Sequence, residues 1–232
     1  MKTKTATQRW GGRVPSPLDI QDQKRLEMLK AAALFFSTEG YHSTNLKDVA
    51  HSIGITKSLF YYYFKDKQQL LYECSILAHT KIQFEFPVPR SKREFLGNFF
   101  CCLVTYIEIV NGNNFQFIMF MEPDVLTKDQ LLVVNRLRDR FEKTIRDVIA
   151  EGQKLGVIVP VDVKVLGFSL LGSINWMARW WRRDRGRSLR DLAGEIIYVA
   201  LRGLALQPKL LDDVFADFKK TIESQQLGTT GR

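Results

Sequence analysis

Cysteine and histidine are scarce in this chain, with three of each among 232 residues. Cys74, Cys101 and Cys102 are odd in number and lack the spacing of a zinc or redox site. Cys101 and Cys102 lie in the apolar run FFCCLV and read as small buried hydrophobes. His42, His51 and His79 are scattered, which argues against a histidine metal site. With no disulfide framework, a reducing cytoplasm is the simplest compartment. No run of 18 apolar residues occurs, so no membrane span is expected. The first residues lack the apolar core of a signal peptide. No repeat, low-complexity block or credible strand stands out. Residues 157–163 are β-like but too short to pair alone. No nucleophile with its base, carboxylate pair or metal set is evident. The nearest candidate is GFSLLG at residues 167–172 with Ser169, which misses the G-x-S-x-G elbow by one residue and lies in a helical pattern. Neither catalysis nor a cofactor is expected.

What the chain does have is helical periodicity and basic charge. Its formal net charge is +9. Residues 1–67 carry 11 Lys and Arg against 6 Asp and Glu, whereas the remainder carries 23 against 19. The basic excess is therefore densest at the N-terminal end, as phosphate binding needs.

Residues 45–67 read NLKDVAHSIGITKSLFYYYFKDK. Leu46, Val49, Ala50 and Ile53 share one helical face. Asn45 can cap that helix, and Asp48 sits in its favourable first turn. Gly54 suits a left-handed helix end. Thr56 can cap a second helix to about Tyr63. Two short helices across a tight turn make a helix-turn-helix, whose second helix enters the DNA major groove. Thr56, Lys57 and Ser58 would offer backbone N–H groups to a phosphate. Tyr61, Tyr62 and Tyr63 point in three directions, so at least one faces solvent or a ligand. Phe60 and Phe64, four apart, read as core. Upstream, Leu26, Leu29, Ala33 and Phe36 mark a first helix closed by Gly40.

Residues 24–72 as a whole resemble the TetR-type transcriptional regulators. The resemblance rests on the glycine and tyrosine at Gly40 and Tyr41, the caps, the acidic–apolar–alanine step at Asp48, Gly54, the aromatic run and Lys67. Asn45 stands where the pattern has a second threonine, Ser58 where glycine or proline is common, and Tyr63 where histidine is usual. The resemblance implies an all-α fold: an N-terminal three-helix helix-turn-helix DNA-binding domain and a larger C-terminal helical domain for ligand binding and dimerisation. It implies that Lys47, Thr56, Lys57, Ser58, Leu59 and Tyr62 face bases or backbone, and that Tyr61, Tyr63 and Lys67 clamp phosphates. Asn45 joins this DNA-binding set. The expected boundaries are a basic arm at 1–22, the DNA-binding domain at 23–68, the effector and dimerisation domain at 69–222 and a polar tail at 223–232.

The body reads as all helix. Segments are expected at 67–84, 91–110, 115–121, 127–155, 162–181, 188–206 and 211–222, with caps or capping boxes at Ser91, Thr127, Asp162 and Ser188. The 188–206 helix is apolar on two sides, Leu192, Ile196, Val199 and Leu206 against Ala193, Ile197, Ala200 and Leu204. It is therefore expected to be buried on two sides. Gly167, Gly172 and Gly203 would permit close helix approach. By the resemblance, the 162–181 and 188–206 helices pair with their copies in a homodimer.

The segment SINWMARWWRRDRGRSLR at residues 173–190 places Trp176 and Trp180 on one face, and Met177 and Trp181 on a neighbouring one. Arginines follow. It resembles the branch of the family that senses acyl-coenzyme A thioesters. An apolar pocket between the helices from Ser91, Thr127 and Asp162, lined by residues such as Phe99, Phe117, Phe120 and Trp176, is expected, with Arg179, Arg182 and Arg183 at its mouth and Trp180 also among the effector-binding residues. The expected partners are a palindromic double-stranded DNA operator, a small hydrophobic effector such as an acyl-coenzyme A, and a second copy of the chain. The expected function is a ligand-responsive repressor. The alternatives are a sensor of other hydrophobic compounds such as drugs, or an effector-independent architectural DNA binder. A body of about 140 aromatic-rich residues exceeds what coating DNA requires.

Overall fold

The computed structural model describes residues 17–115, 123–181 and 187–229, with side chains described between residues 21 and 224. Among them the secondary structure is helical, apart from one isolated bridge between Ile158 and Ala205. The chain divides into two compact units, Met1–Cys74 and Ser75–Arg232.

The first unit holds α1 (Pro17–Thr38), α2 (Leu46–Ser52), α3 (Lys57–Tyr63) and the start of α4 (Lys67–Lys81). Helix α1 starts within the span expected to be a loose arm. Proline is well placed there, because the first turn needs no N–H from it. Met28, Leu29, Ala32, Ala33 and Phe36 of α1 meet Leu46, Val49, Ala50, Phe60, Phe64, Leu70 and Leu71 in the unit's buried core. Leu26 is half-buried. Gly40 and Gly54 adopt φ of 81° and 71°, so both turns use a backbone that side chains resist. The compact unit runs to Cys74, with Leu70, Leu71 and Cys74 buried.

The second unit holds the rest of α4, α5 (Lys92–Gly112), α6 (Lys128–Lys154), α7 (Val163–Asn175), α8 (Met177–Trp180), α9 (Leu189–Arg202) and α10 (Pro208–Thr229). Ser91, Thr127, Asp162 and Ser188 each accept the expected backbone N–H, and only Thr127 closes the full box, with Gln130. Glu94 reaches the N–H of Arg90 (2.7 Å) in place of that of Ser91. Gly156 ends α6 at φ 65°. The expected 162–181 helix is broken at Trp176, and α10 runs to Thr229, past the expected end at 222. Residues 157–159 do find a partner: Val159 N–H donates to the Leu204 carbonyl and Leu206 N–H to that of Val157. The expected helix at 115–121 lies outside the described residues, save for buried Phe115.

Helix α5 is the centre of this unit. Phe95, Phe99, Phe100, Leu103, Tyr106 and Ile107 are all buried, and α9 and α10 pack upon it. It is long and apolar enough to cross a membrane, but over half of its apolar window is buried in the body. The close-approach glycines are Gly152 and Gly194. A Cβ on Gly194 would lie 2.1 Å from the Phe218 ring, and one on Gly152 2.6 Å from Ile158. Gly167 has only ordinary contacts, and a Cβ on Gly172 or Gly203 would meet open space.

Candidate functional site

The two helices of the helix-turn-helix form where their caps place them. Asn45 Oδ1 accepts from Lys47 N–H (2.9 Å) and Thr56 Oγ1 from Leu59 N–H (3.2 Å). Both side chains thus start a helix, α2 and α3 respectively. Phe60 and Phe64 are fully buried, their ring centroids 5.5 Å apart. That anchoring turns the rest of α3 outward. Thr56, Lys57, Ser58, Tyr61 and Tyr62 are exposed, Tyr62 by 75%, while Leu59 and Tyr63 are half-buried. Lys57 Nζ lies over the Tyr61 ring, 5.5 Å from its centroid. The Tyr62 and Tyr63 rings meet edge to face at 5.3 Å. Lys47 and Asn45 of the α2 end are exposed as well. Such a face offers hydroxyl donors, an ammonium and apolar ring edges, the chemistry that phosphates and thymine methyls accept.

Lys67 stands apart from this set. Its ammonium donates to the carbonyls of Tyr41 (2.8 Å), His42 (3.1 Å) and Thr44 (3.1 Å), and lies 4.5 Å above the Tyr41 ring. A lysine has three N–H donors, and these three bonds use them all. In this structure the ammonium expected to clamp a phosphate is engaged by the protein's own carbonyls. Burial, and then the nearby Asp66 carboxylate, raise the Tyr41 phenol above its ordinary pKa.

Arg25 has no mark in the sequence pattern yet ties three helices together. It pairs with Glu73 of α4, donates to the Tyr63 carbonyl at the end of α3 (3.4 Å) and lies 4.9 Å above the Phe64 ring. Gln69 in turn donates to Glu73 (3.2 Å), and Asp66 accepts the Gln69 N–H (2.7 Å) to begin α4. No periodicity could reveal Arg25, because its partners lie 38 and 48 residues away.

The expected effector pocket is not assembled by its described members. Phe99 is fully buried among core rings, with Phe86 and Phe95 at 6.5 and 6.2 Å. Trp176 (63%) and Trp180 (45%) are instead exposed, as is Arg179. Phe117, Phe120, Arg182 and Arg183 lie outside the described residues. The two-face reading of this segment does hold: Met177 is buried and Trp181 packs against the core. The break after Asn175 is marked by a hydrogen bond from buried Tyr106 Oη to Asn175 Oδ1 (2.6 Å). Burial raises the Tyr106 phenol's pKa, partly offset by that bond. A groove of about 780 Å³ opens where α6 meets the start of α7, lined by Glu142, Arg146, Val161, Asp162, Val163, Lys164 and Phe168. Its charged lining differs from the apolar pocket expected.

Helices α7 to α9 expose several large apolar side chains among the described residues. Val165, Phe168, Trp176 and Trp180 are exposed on α7 and α8, and Val199 and Leu206 on and just beyond α9. Their opposite sides, through Leu166, Leu170, Ile174, Ala193 and Ile197, are core.

A trihelical head with an outward aromatic helix, followed by a helical body with exposed apolar side chains, defines a DNA-binding transcriptional regulator of the helix-turn-helix class. Residues 28–74 match the family model described as bacterial regulatory proteins, tetR family, and residues 98–204 match the tetracyclin repressor-like C-terminal domain. The TetR-family regulator PfmR of Thermus thermophilus is 30% identical, with a TM-score of 0.62 over 75% of this chain and 97% of that one. The repressor KstR2 of Mycolicibacterium smegmatis is 23% identical over 191 residues, 78% of this chain and 90% of its own length. The fold is also that of AibR, solved with isovaleryl coenzyme A and operator DNA, at 19% identity and a TM-score of 0.61 over 76% of this chain and 97% of that one. The chain belongs to the TetR family.

Proposed function

We propose that the protein is a homodimeric repressor that binds a near-palindromic operator and is released when its body takes up an apolar small molecule. The observation that carries this reading is the pairing of the exposed tyrosine face of α3 with the exposed apolar side chains of α7 to α9. One seven-residue recognition helix reads too few base pairs for useful specificity. Two copies joined through those apolar side chains would read two half-sites about 34–36 Å apart, or a multiple of that. Gly172 and Gly203 support this arrangement, since the space above them is open to a partner helix.

Within the head, Lys47, Thr56, Lys57, Ser58, Leu59, Tyr61, Tyr62 and Tyr63 are the DNA-facing residues, with Asn45 fixing the α2 end. Lys57 is the candidate base reader. The protein acts by binding and not by catalysis: Ser169 lies in mid-helix α7, exposed and far from the geometry of a nucleophile elbow. Its place of work is the cytoplasm, where operator DNA is accessible.

An acyl-coenzyme A is the effector class to test first. Support comes from the Trp–Arg segment and from AibR, whose complex contains isovaleryl coenzyme A. The exposure of Trp176 and Trp180 counts against those two rings lining its acyl site. Release follows only if the ligand prefers the body shape that mis-spaces the heads.

Val199→Asp tests the assembly. Val199 is 71% exposed, so the charge harms no core contact. The variant should sediment as a monomer and lose specific operator binding while keeping its helical circular dichroism. A monomeric wild type at micromolar concentration would overturn the dimer. Titrating the operator complex with the thioester, the free acid and free coenzyme A tests the effector class, and release by a neutral apolar compound alone would replace it.

A further inference from the structure

We propose that Lys67 is a positioning residue for DNA binding and touches no phosphate. The inference rests on the reading of the head as the DNA-binding unit, and assigns Lys67 a different task within it. Its ammonium holds the chain segment that leads into α2.

The three accepting carbonyls belong to residues 41–44, 23 to 26 positions upstream. This segment joins α1 to α2. Thr44 is buried, and its hydroxyl donates to the Gly40 carbonyl (2.7 Å). The next residue, Asn45, is the cap that starts α2. Lys67 thus reaches from the first turn of α4 to the peptides that set where α2 begins. Helix α2 hands that position on to α3 through the tight turn at Gly54.

Three carbonyl dipoles converging on one ammonium suit lysine in particular. The group is a compact point charge with three rotatable donors. Bonds from a charged donor are also stronger than neutral ones. The Tyr41 ring below the charge adds a cation–π contact at 4.5 Å, and Tyr41 itself leans on Phe36 of the core at 5.9 Å. To donate to a phosphate the ammonium would have to give up at least one of these bonds. A phosphate contact releases a counterion from DNA and so steepens the salt dependence of binding. A residue that only positions the head does not.

The test uses the full-length protein with Lys67→Met and Lys67→Arg, measured on operator DNA across a salt series. Arginine keeps the charge, but its planar fork cannot converge on three carbonyls gathered around a point. Both variants should bind roughly tenfold or more weakly, with the salt slope unchanged from wild type. If Lys67 were a phosphate clamp, Lys67→Met would lower the slope by about 0.9, and Lys67→Arg would bind almost normally. A fall in melting temperature with unchanged operator affinity well below the transition would reduce Lys67 to a purely structural role. Either result overturns the proposal. Should the variants fail to fold, ¹⁵N-lysine spectra of wild type decide the matter. The Lys67 ammonium protons should exchange slowly in the free protein and keep their shifts when DNA binds. A coupling to ³¹P on binding would overturn the assignment. A wild-type protein that binds no DNA would sink the reading of the head itself, and the proposal with it.

Discussion

Removing one oxygen at Tyr106 offers a quantitative test of how the body fixes its outer face. The ring is buried and stacks on Phe141 at 4.9 Å and 21°, and its hydroxyl donates to Asn175 at the break between α7 and α8. Tyr106→Phe keeps the ring and the stack. It removes the donor and leaves the half-buried Asn175 oxygen without this bond. A stranded group of this kind costs about 1–3 kcal/mol. Partial access of water to Asn175 argues for the lower half of that range. For a protein of this size each kcal/mol lowers the melting temperature by about 2–4 °C. A fall of roughly 2–8 °C is therefore expected by calorimetry. Asn175→Leu should cost a similar amount, because it removes the acceptor of that hydroxyl bond. The double variant strands neither group, so its cost should fall short of the sum by about 1 kcal/mol. Denaturant melts of all four proteins give that coupling. Additive costs, within about 0.3–0.5 kcal/mol, would refute the reasoning and separate the hydrogen bond from the helix break.

Gly194→Ala should destabilise the body by about 1–3 kcal/mol, since its methyl would collide with Phe218, and Phe218→Leu should recover part of the loss in thermal melts. His79 is buried, and that burial lowers its pKa below the ordinary value near 6.5. The unfolded chain then binds more protons in acid, so stability should decline as pH falls below about 6.5, and more steeply than in His79→Gln. Burial acts in the opposite sense on Cys102, whose thiol is pushed up to about 11, so between its ordinary 9.0 and that value the folded form holds the extra proton and stability should fall with rising pH. Thr56→Ala removes the α3 cap and should cost about 1 kcal/mol, with a matching loss of operator affinity in fluorescence anisotropy.

The head was legible in the sequence because its signals are local. Asn45 and Thr56 are caps three residues or fewer from the N–H groups they accept, and Phe60 and Phe64 are core by their spacing. The packed side of α9, through Ala193 and Ile197, was legible for the same reason, whereas the second side, expected to be buried as well, has Leu192 and Ile196 half-buried and Val199 exposed. Lys67 and Arg25 were not, since each acts through backbone carbonyls that come near only after folding. For the effector pocket the limit of the sequence is a different one. Periodicity shows that Phe99 and Trp176 are apolar and regularly placed, but not that one ring joins a packed core while the other faces out. Nor does it reveal the break after Asn175, which changes where the following rings are aimed.

The burial of α5 has a consequence for synthesis. Its covering helices, α9 and α10, come after it in the chain, with Ile222 the last buried apolar residue among those described. At about 5–20 residues per second, roughly 5–20 s separate the completion of α5 from that of its cover. The head has its own core and can close before α5 is made. During the interval a nascent chain would display a 21-residue apolar helix long enough for a bilayer. A translational pause after residue 112, or a stop before α10, would therefore favour aggregation or capture by membrane-targeting machinery. Expression yield should depend on the speed of the last hundred codons far more than on that of the first hundred.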